Sequence, residues 1–327
     1  MTSTQKKIAV IGAGMAGITC ARRLHDAGLE VEIFEKSRGI GGRLATRRTE
    51  FGNFDHGAPF FSAASDRFAA FAAEKLVAGS LAFWSDASLG ATQSALQFVG
   101  LPGMNAFLKP ESRPLRLHTE ATISRILDDG EKLLLEGSAP PDTAGYSHVV
   151  VTAPAPQAAQ ITANFSSLKA ALESVVFVPS WVLMISVRRA SHGPAGLVAA
   201  PHPDIKQMVQ ESAKPGRAPD QDIERWVVHC TDEFSIAALE ETQATIIDRA
   251  LPAALETLKA GKADVVHCAA HRWRYATALK AAGAPVLMSA DGRVIVAGDG
   301  CTGGGVEGAY ESGWAAAEAV LNRASTN

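Results

Sequence analysis

The run KKIAVIGAGMAGITCARRLHDAGLEVEIFEKSRGIGGRLATRR, residues 6–48, constrains this chain more than any other stretch. A short apolar segment, Ile8-Ala9-Val10-Ile11, leads at once into Gly12-x-Gly14-x-x-Gly17. The amphipathic pattern that follows predicts a helix over 15–27 ended by Gly28, and a second strand over 29–34 that delivers Glu35. Each part has its own job in holding a dinucleotide. Gly12 permits the tight turn, Gly14 lets backbone approach a pyrophosphate, and Gly17 lets helix and strand pack closely. The helix start at Met15 and Ala16 turns unpaired N–H groups toward phosphate charge. Glu35, with Lys36 beside it, stands where a carboxylate accepts ribose hydroxyls, which disfavours NADP and leaves FAD and NAD open. Strand, turn, helix, strand and acid in this order predict a Rossmann-type domain.

A chain of 327 residues exceeds one ordinary core, and 47% hydrophobic residues suffice for two. The formal charge of −3, with Lys and Arg scattered, speaks against a nucleic-acid or anionic-membrane surface. Four isolated cysteines, Cys20, Cys230, Cys268 and Cys301, form no CxxC and suit a reducing compartment. The longest apolar run, 175–187, contains Pro179 and is too short to span a bilayer. A soluble, cytoplasmic protein is expected.

Further along, 66–78 predicts a helix, and a Pro-Gly turn at 102–103 precedes another beginning near Met104. Segments 115–127 and 132–136 flank Asp129-Gly130 as a hairpin, and 147–154 reads as a buried strand stopped at Pro154. Segments 181–187 and 225–230 are β-rich, 237–260 reads as one or two helices broken at Pro252, and 293–297 is a short strand before Gly298-Asp299-Gly300 and a final helix over 306–323. The expected architecture is α/β: a Rossmann-type dinucleotide domain (1–58, 112–157 and 284–327) with an interleaved antiparallel-sheet substrate domain (59–111 and 158–283).

Gly41-Gly42-Arg43, just past the acid, has no role in an ordinary nicotinamide site. It resembles the segment that wraps the pyrophosphate in amine-oxidase-like flavoproteins, as does Gly298-Asp299 followed by Val306-Glu307-Gly308-Ala309. In that group the aspartate binds the ribityl chain and the last helix starts at the flavin N1–O2 edge, where its N–H groups stabilise anionic reduced flavin. The resemblance therefore implies noncovalent FAD. It also places Ile123, His56, Gly57, Ala58, Thr152, Ala153 and Pro154 among the cofactor contacts.

Within that group the chain is most similar to the renalase-like flavoproteins, on SRGIGGR, DHGAPFF at 55–61, VGLPGM at 99–104, VTAPAPQA at 151–158, AHRWRYA at 270–276 and GVEGAYESG after GDG. It departs from the branch at Pro59, where glutamine is usual, and at Gly300, where tryptophan is frequent. The resemblance implies oxidation of 2- or 6-dihydro isomers of NAD(P)H to NAD(P)+, with oxygen reduced to hydrogen peroxide. An amine oxidase acting on a small amine and a non-enzymatic binding protein on the same scaffold are the alternatives.

Along an extended 271–275, His271, Trp273 and Tyr275 share one face and Arg272 and Arg274 the other, so the first three are candidates for the substrate pocket. Phe60, Phe61 and Ser62 follow the turn at 56–58 and are further candidates. His267 and His271 sit about 13 Å apart on a strand, so no metal site is expected.

Overall fold

The computed structural model describes residues 6–84, 96–138, 145–189, 193–218, 220 and 222–324. The chain divides into two compact units, Met1–Gly42 with Leu108–Phe177 and Ala278–Asn327, and Arg43–Phe107 with Val178–Thr277. In the first, β1 (Lys7–Ile11), α1 (Met15–Asp26) and β2 (Glu30–Phe34) form the expected strand-helix-strand start. β1 runs parallel to β2, with Ile8 opposite Val31, and parallel to His148–Val151 on its other side. From edge to edge the six-stranded sheet reads Leu287–Met288, Val294–Val296, His148–Val151, β1, β2, Arg116–His118. Central parallel strands are covered on both faces, which is why Ile8 to Ile11 is apolar without alternation. Ala9, Ile11, Val149 and Val151 pack against Ile161, Leu168 and Leu172 from the helices Ala155–Ile161 and Ser166–Glu173. The long helix Gly305–Ala324 touches α1 at backbone level, since a Cβ on Gly313 would come within 2.3 Å of the Ala16 carbonyl oxygen.

Several expected elements differ. Segment 115–127 is not one hairpin arm: Arg116–His118 joins the sheet beside β2, the chain turns at Glu120 (φ 56°), and only Ile123–Asp128 pairs with Leu133–Gly137. The helix near Met104 is a 3-10 turn, Met104–Leu108, followed by one short α turn, Lys109–Ser112. Asp299–Thr302 adds a short helix between the strand Val294–Val296 and the last helix. Pro252 does not break its helix. Gln243–Leu258 runs through it, held by Ile246, Ala250, Ala254 and Leu258 in the core.

In the second unit, the sheet order is Leu197–His202, Ile205–Gln210, Ile223–Cys230, Val176–Arg188, Val265–Lys280. One face carries Trp181, Leu183, Ile185, Trp226 and Val228 against the helices Asp232–Ala237 and Gln243–Leu258. The opposite face presents Val182, Met184, Val227, Ala269 and Trp273 to Phe54. Phe54 belongs to the hairpin β3 (Thr46–Thr49) and β4 (Gly52–Asp55). Residues 43–58, expected with the nucleotide domain, therefore lie in this unit, and 158–177, expected with the substrate domain, lie in the first. A separate three-stranded sheet buries Phe61, Phe98 and Phe107 with Phe68. Among the described residues no helix is long and apolar enough to cross a membrane.

Candidate functional site

In the first unit the glycine turn is built as its spacing requires. Gly12 takes φ 105°, and a Cβ on Gly17 would lie 2.0 Å from the Gly12 carbonyl oxygen, so only glycine lets α1 start so close to β1. Thr152 braces the turn from behind, its hydroxyl donating to the Ile11 carbonyl at 2.9 Å. Gly14 is different: nothing stands within 4 Å of where its Cβ would be. α1 begins there with no side-chain cap, which leaves the first N–H groups, at Met15 and Ala16, for another partner. The Gly41 N–H donates to the Ala13 carbonyl at 2.9 Å, and a Cβ on Gly42 would meet Gly14 Cα at 3.4 Å, so the second glycine pair folds over the first turn. Glu35 is buried, and its two oxygens accept the Ala13 and Ser37 N–H groups, each at 2.8 Å. Each oxygen keeps lone-pair capacity for a ribose hydroxyl. An open glycine beside an uncapped helix start, with an oriented carboxylate on the next strand, fits a dinucleotide.

The C-terminal element of this unit is equally glycine-dependent. Gly303, Gly304 and Gly305 all have positive φ, and a Cβ on Gly308 would lie 1.6 Å from the Gly303 carbonyl oxygen. The loop thus folds onto the first turn of the last helix, which holds Val306, Glu307 and Ala309. Asp299 is buried just before it. The Cys301 thiol donates to the Val296 carbonyl at 3.4 Å, and burial pushes it up to about 11, so it is no nucleophile. Lys36 reaches Gln157 at 3.3 Å, Pro154 starts the helix Ala155–Ile161, and Ile123 and Ala153 pack in the core.

In the second unit the two faces of the β3–β4 hairpin do different work. In register, Arg47 stands opposite Phe54 and Thr46 opposite Asp55. On the Phe54 side, His56 packs edge-on against His271 (ring centroids 4.7 Å apart) and at 5.2 Å against Trp273, while His271 lies 4.6 Å from Trp273. The Trp273 indole N–H donates to the His56 carbonyl at 2.7 Å, fixing the indole. Tyr275 is half-buried further along the same strand face. Burial, then the neighbouring His271 and Arg47 charges, lowers His56 to about 4, and burial also lowers His271, so both imidazoles are neutral at pH 7. The buried His56 Nδ1 has no partner among the described residues.

The Asp55 side is a buried charge cluster that no local sequence pattern announced. Asp55 accepts from Lys214 Nζ (3.2 Å), Arg217, Thr46 Oγ1 (2.6 Å) and the Met104 N–H (2.9 Å), and Lys214 also donates to Glu211 (2.5 Å). Burial opposes charge on Asp55, but Lys214 and Arg217 outweigh it and hold this carboxyl well below its usual range. Glu211 goes the other way: burial, aided by Asp55, pushes it up to about 7.

The remaining candidates separate. His271 and Trp273 meet as one wall, while Arg272 and Arg274 turn to the other face and bind Glu240. Phe61 is packed in the aromatic core, Phe60 lies 5.5 Å from Trp84, and Ser62 is exposed. Arg43 donates to the Ala276 carbonyl at 2.9 Å, and its own carbonyl accepts from Ala58 across Gly57, where a Cβ would not fit. Among the described residues no group of three or more His, Cys, Asp or Glu could hold a metal ion.

A sequence profile described as NAD(P)-binding Rossmann-like domain matches residues 10–74, and one described as Flavin containing amine oxidoreductase matches residues 69–321. An L-amino-acid oxidase of Mus musculus is 49% identical over 49 residues, 15% of this chain and 8% of that protein. A 4,4'-diapophytoene desaturase of Staphylococcus aureus (strain Newman) is 47% identical over 51 residues, 16% and 10% of the two chains. The matched stretch spans 8% to 10% of the length of these two relatives. A putative protoporphyrinogen oxidase from Exiguobacterium sp. 255-15 superposes over 99% of this chain and 100% of its own with TM-score 0.74 at 12% identity. A triple mutant of putrescine oxidase superposes over 98% and 99% with TM-score 0.70, also at 12% identity. At such identities these likenesses speak to fold alone.

Proposed function

The chain belongs to the flavin containing amine oxidoreductase family, whose profile covers residues 69–321, and from that premise we propose that it oxidises the 2- or 6-dihydro isomers of NAD(P)H to NAD(P)+. Its cofactor is FAD. The residues that would hold it, without a covalent bond, are the Gly12, Gly14 and Gly17 turn with Met15 and Ala16, Glu35 with Lys36, Gly42-Arg43, His56 to Ala58, Thr152 to Pro154 with Ile123, and Gly298-Asp299 with Val306 to Ala309. When bound, FAD supplies the two-electron acceptor, and the balanced reaction is NAD(P)H + H+ + O2 giving NAD(P)+ and H2O2.

The observation that carries the substrate reading is the His56–His271–Trp273 wall. It offers aromatic rings, His56 tilted 30° against Trp273 and His271 edge-on to both, and neutral imidazoles able to donate or accept a hydrogen bond, which suits an uncharged dihydropyridine ring bearing a carboxamide. Oxidation of such a ring needs no separate base, because aromatisation drives it. The chain's contribution is orientation and the exclusion of the wrong isomer. A small amine, the class named for the putrescine oxidase neighbour, is the second reading. It is disfavoured because the positive field of Arg47 acts on both imidazoles of the wall and repels an ammonium ion. The four free cysteines suit a reducing cytoplasm.

Anaerobic stopped-flow reduction tests this. Rapid bleaching of the flavin band by the 2- or 6-dihydro isomers, slow bleaching by ordinary 4-dihydro NADH and none by primary amines is the expected pattern. Bleaching by an amine and by neither isomer overturns it in favour of amine oxidation, and a protein that neither carries nor takes up FAD would be a binding protein.

A further inference from the structure

Arg47 stands out on the hairpin. It is exposed, and among the described residues no carboxylate pairs with it. Directly opposed residues of an antiparallel pair share a face, so Arg47 lies on the side of Phe54 rather than on the side of Asp55. That side meets the odd-numbered face of the strand Val265–Lys280: the Phe54 ring is 6.0 Å from His267, Phe51 stacks on His267 at 4.9 Å, and His56 packs on His271. The Arg47 charge acts on three imidazoles, those of His56, His267 and His271. Glu50 acts on His267 and Asp55 on His56, whereas no acid acts on His271 among the described residues.

A guanidinium without a partner among the described residues, on a face that also carries a neutral imidazole able to donate one hydrogen bond, is a receptor for an anion with several oxygens. Phosphate matches the planar fork, because two parallel N–H groups can be donated to two of its oxygens. We propose that Arg47, on the hairpin face that packs against the strand carrying His267 and His271, is an anion-binding site that takes a phosphate group of the substrate. The source of that phosphate rests on the dihydronicotinamide reading above, while the chemistry of the site does not.

The test uses the FAD-loaded protein and three exposed-site variants, Arg47→Ala, Arg47→Lys and, as control, Arg48→Ala on the opposite face of β3. Inorganic pyrophosphate is titrated calorimetrically into each. Arg47→Ala should weaken its binding by about tenfold or more, the loss of one charge-assisted pair, with Arg47→Lys between and Arg48→Ala unchanged. In turnover, Arg47→Ala should raise KM for a dihydronicotinamide dinucleotide by a similar factor with kcat unchanged, and should leave the riboside, which has no phosphate, unaffected. Equal pyrophosphate affinity in wild type and Arg47→Ala, including none in either, overturns the anion site. Loss of FAD from Arg47→Ala in step with pyrophosphate binding overturns the assignment to substrate and gives the phosphate to the cofactor. An equal rise in KM for dinucleotide and riboside also overturns it. Should no dihydronicotinamide reduce the wild-type flavin, the proposed function falls and the pyrophosphate titration alone decides the anion site.

Discussion

Replacing Lys214 by methionine should destabilise the second unit in a way that depends on pH, and Glu211 is the reason. The Lys214 side chain is 0% exposed and donates to both Asp55 and Glu211, whose side chains are 0% and 1% exposed. Burial raises Glu211 from 4.5 to about 7, so folding takes up a proton in that interval. The sign follows from the raised value: this group's contribution to stability is complete below 4.5 and is lost as pH rises through about 7, a span of about 3 kcal/mol. Lys214 is one of the groups holding Glu211 down, so without it the value climbs further and the loss continues to higher pH. At pH 6 Glu211 is largely protonated with or without Lys214, Asp55 keeps Arg217, and the penalty should be small. Above pH 7 it should grow by at most about 1.4 kcal/mol per pH unit, the limit for one proton, toward the ~3–5 kcal/mol typical of a broken buried pair. Adding Glu211→Gln should remove the growth and leave a flat penalty. Urea unfolding followed by tryptophan fluorescence suits the question, because Trp84, Trp181, Trp226 and Trp273 all lie in this unit. Equal penalties at pH 6 and pH 9, or a double variant as pH-dependent as the single one, would refute the reasoning.

Acid should act on this unit in the opposite direction, through His56 at about 4 and His229 at about 3, both lowered chiefly by burial. Their stabilisation is present above 6.5 and lost as pH falls toward those values, about 3 kcal/mol for His56; Glu211→Gln, which removes the opposing gain, should show a monotonic fall in thermal midpoint from pH 7 to pH 4. Glu35→Ala should weaken FAD retention by ~1.5–3 kcal/mol through the lost charge-assisted bond, read as faster loss of flavin absorbance on dialysis, while far-UV circular dichroism is unchanged. Gly17→Ala should give protein largely free of FAD, because its Cβ would meet the Gly12 carbonyl oxygen at 2.0 Å and push α1 off the turn; full flavin occupancy would count against the glycine turn as the cofactor's seat.

What could be read from the sequence was what local periodicity carries. β1, α1 and β2 lie within two residues of expectation because an apolar run, a glycine turn and an amphipathic stretch each declare themselves within a dozen residues. The two faces of 271–275 were legible for the same reason, since a period of two needs no partner to be seen. The Asp55 cluster was not, because Asp55 and Lys214 are 159 residues apart and neither sits in a pattern that predicts burial of charge. Arg47 was hidden differently. In the string TRR nothing says which arginine faces the wall until the hairpin register pairs Arg47 with Phe54. Phe61 shows the limit of residue type: a phenylalanine after a functional turn serves equally as lining or as core, and here it is core.

The two-faced hairpin has a consequence for how this protein can change over generations. Arg47 and His56 look toward the wall, whereas Thr46 and Asp55, their immediate neighbours, hold the unit together from the other side. Because β-strand side chains alternate, substitutions at 47 and 56 reshape the face of the proposed site without touching the charges that anchor the strand. Insertion or deletion of one residue does the reverse, driving Asp55 into the aromatic wall and an imidazole into the ion cluster. The segment is therefore open to new specificities by replacement and closed to change in length. For the substrate wall proposed above, a library that varies positions 47, 56, 271 and 273 at fixed spacing is the route along which recognition can be changed.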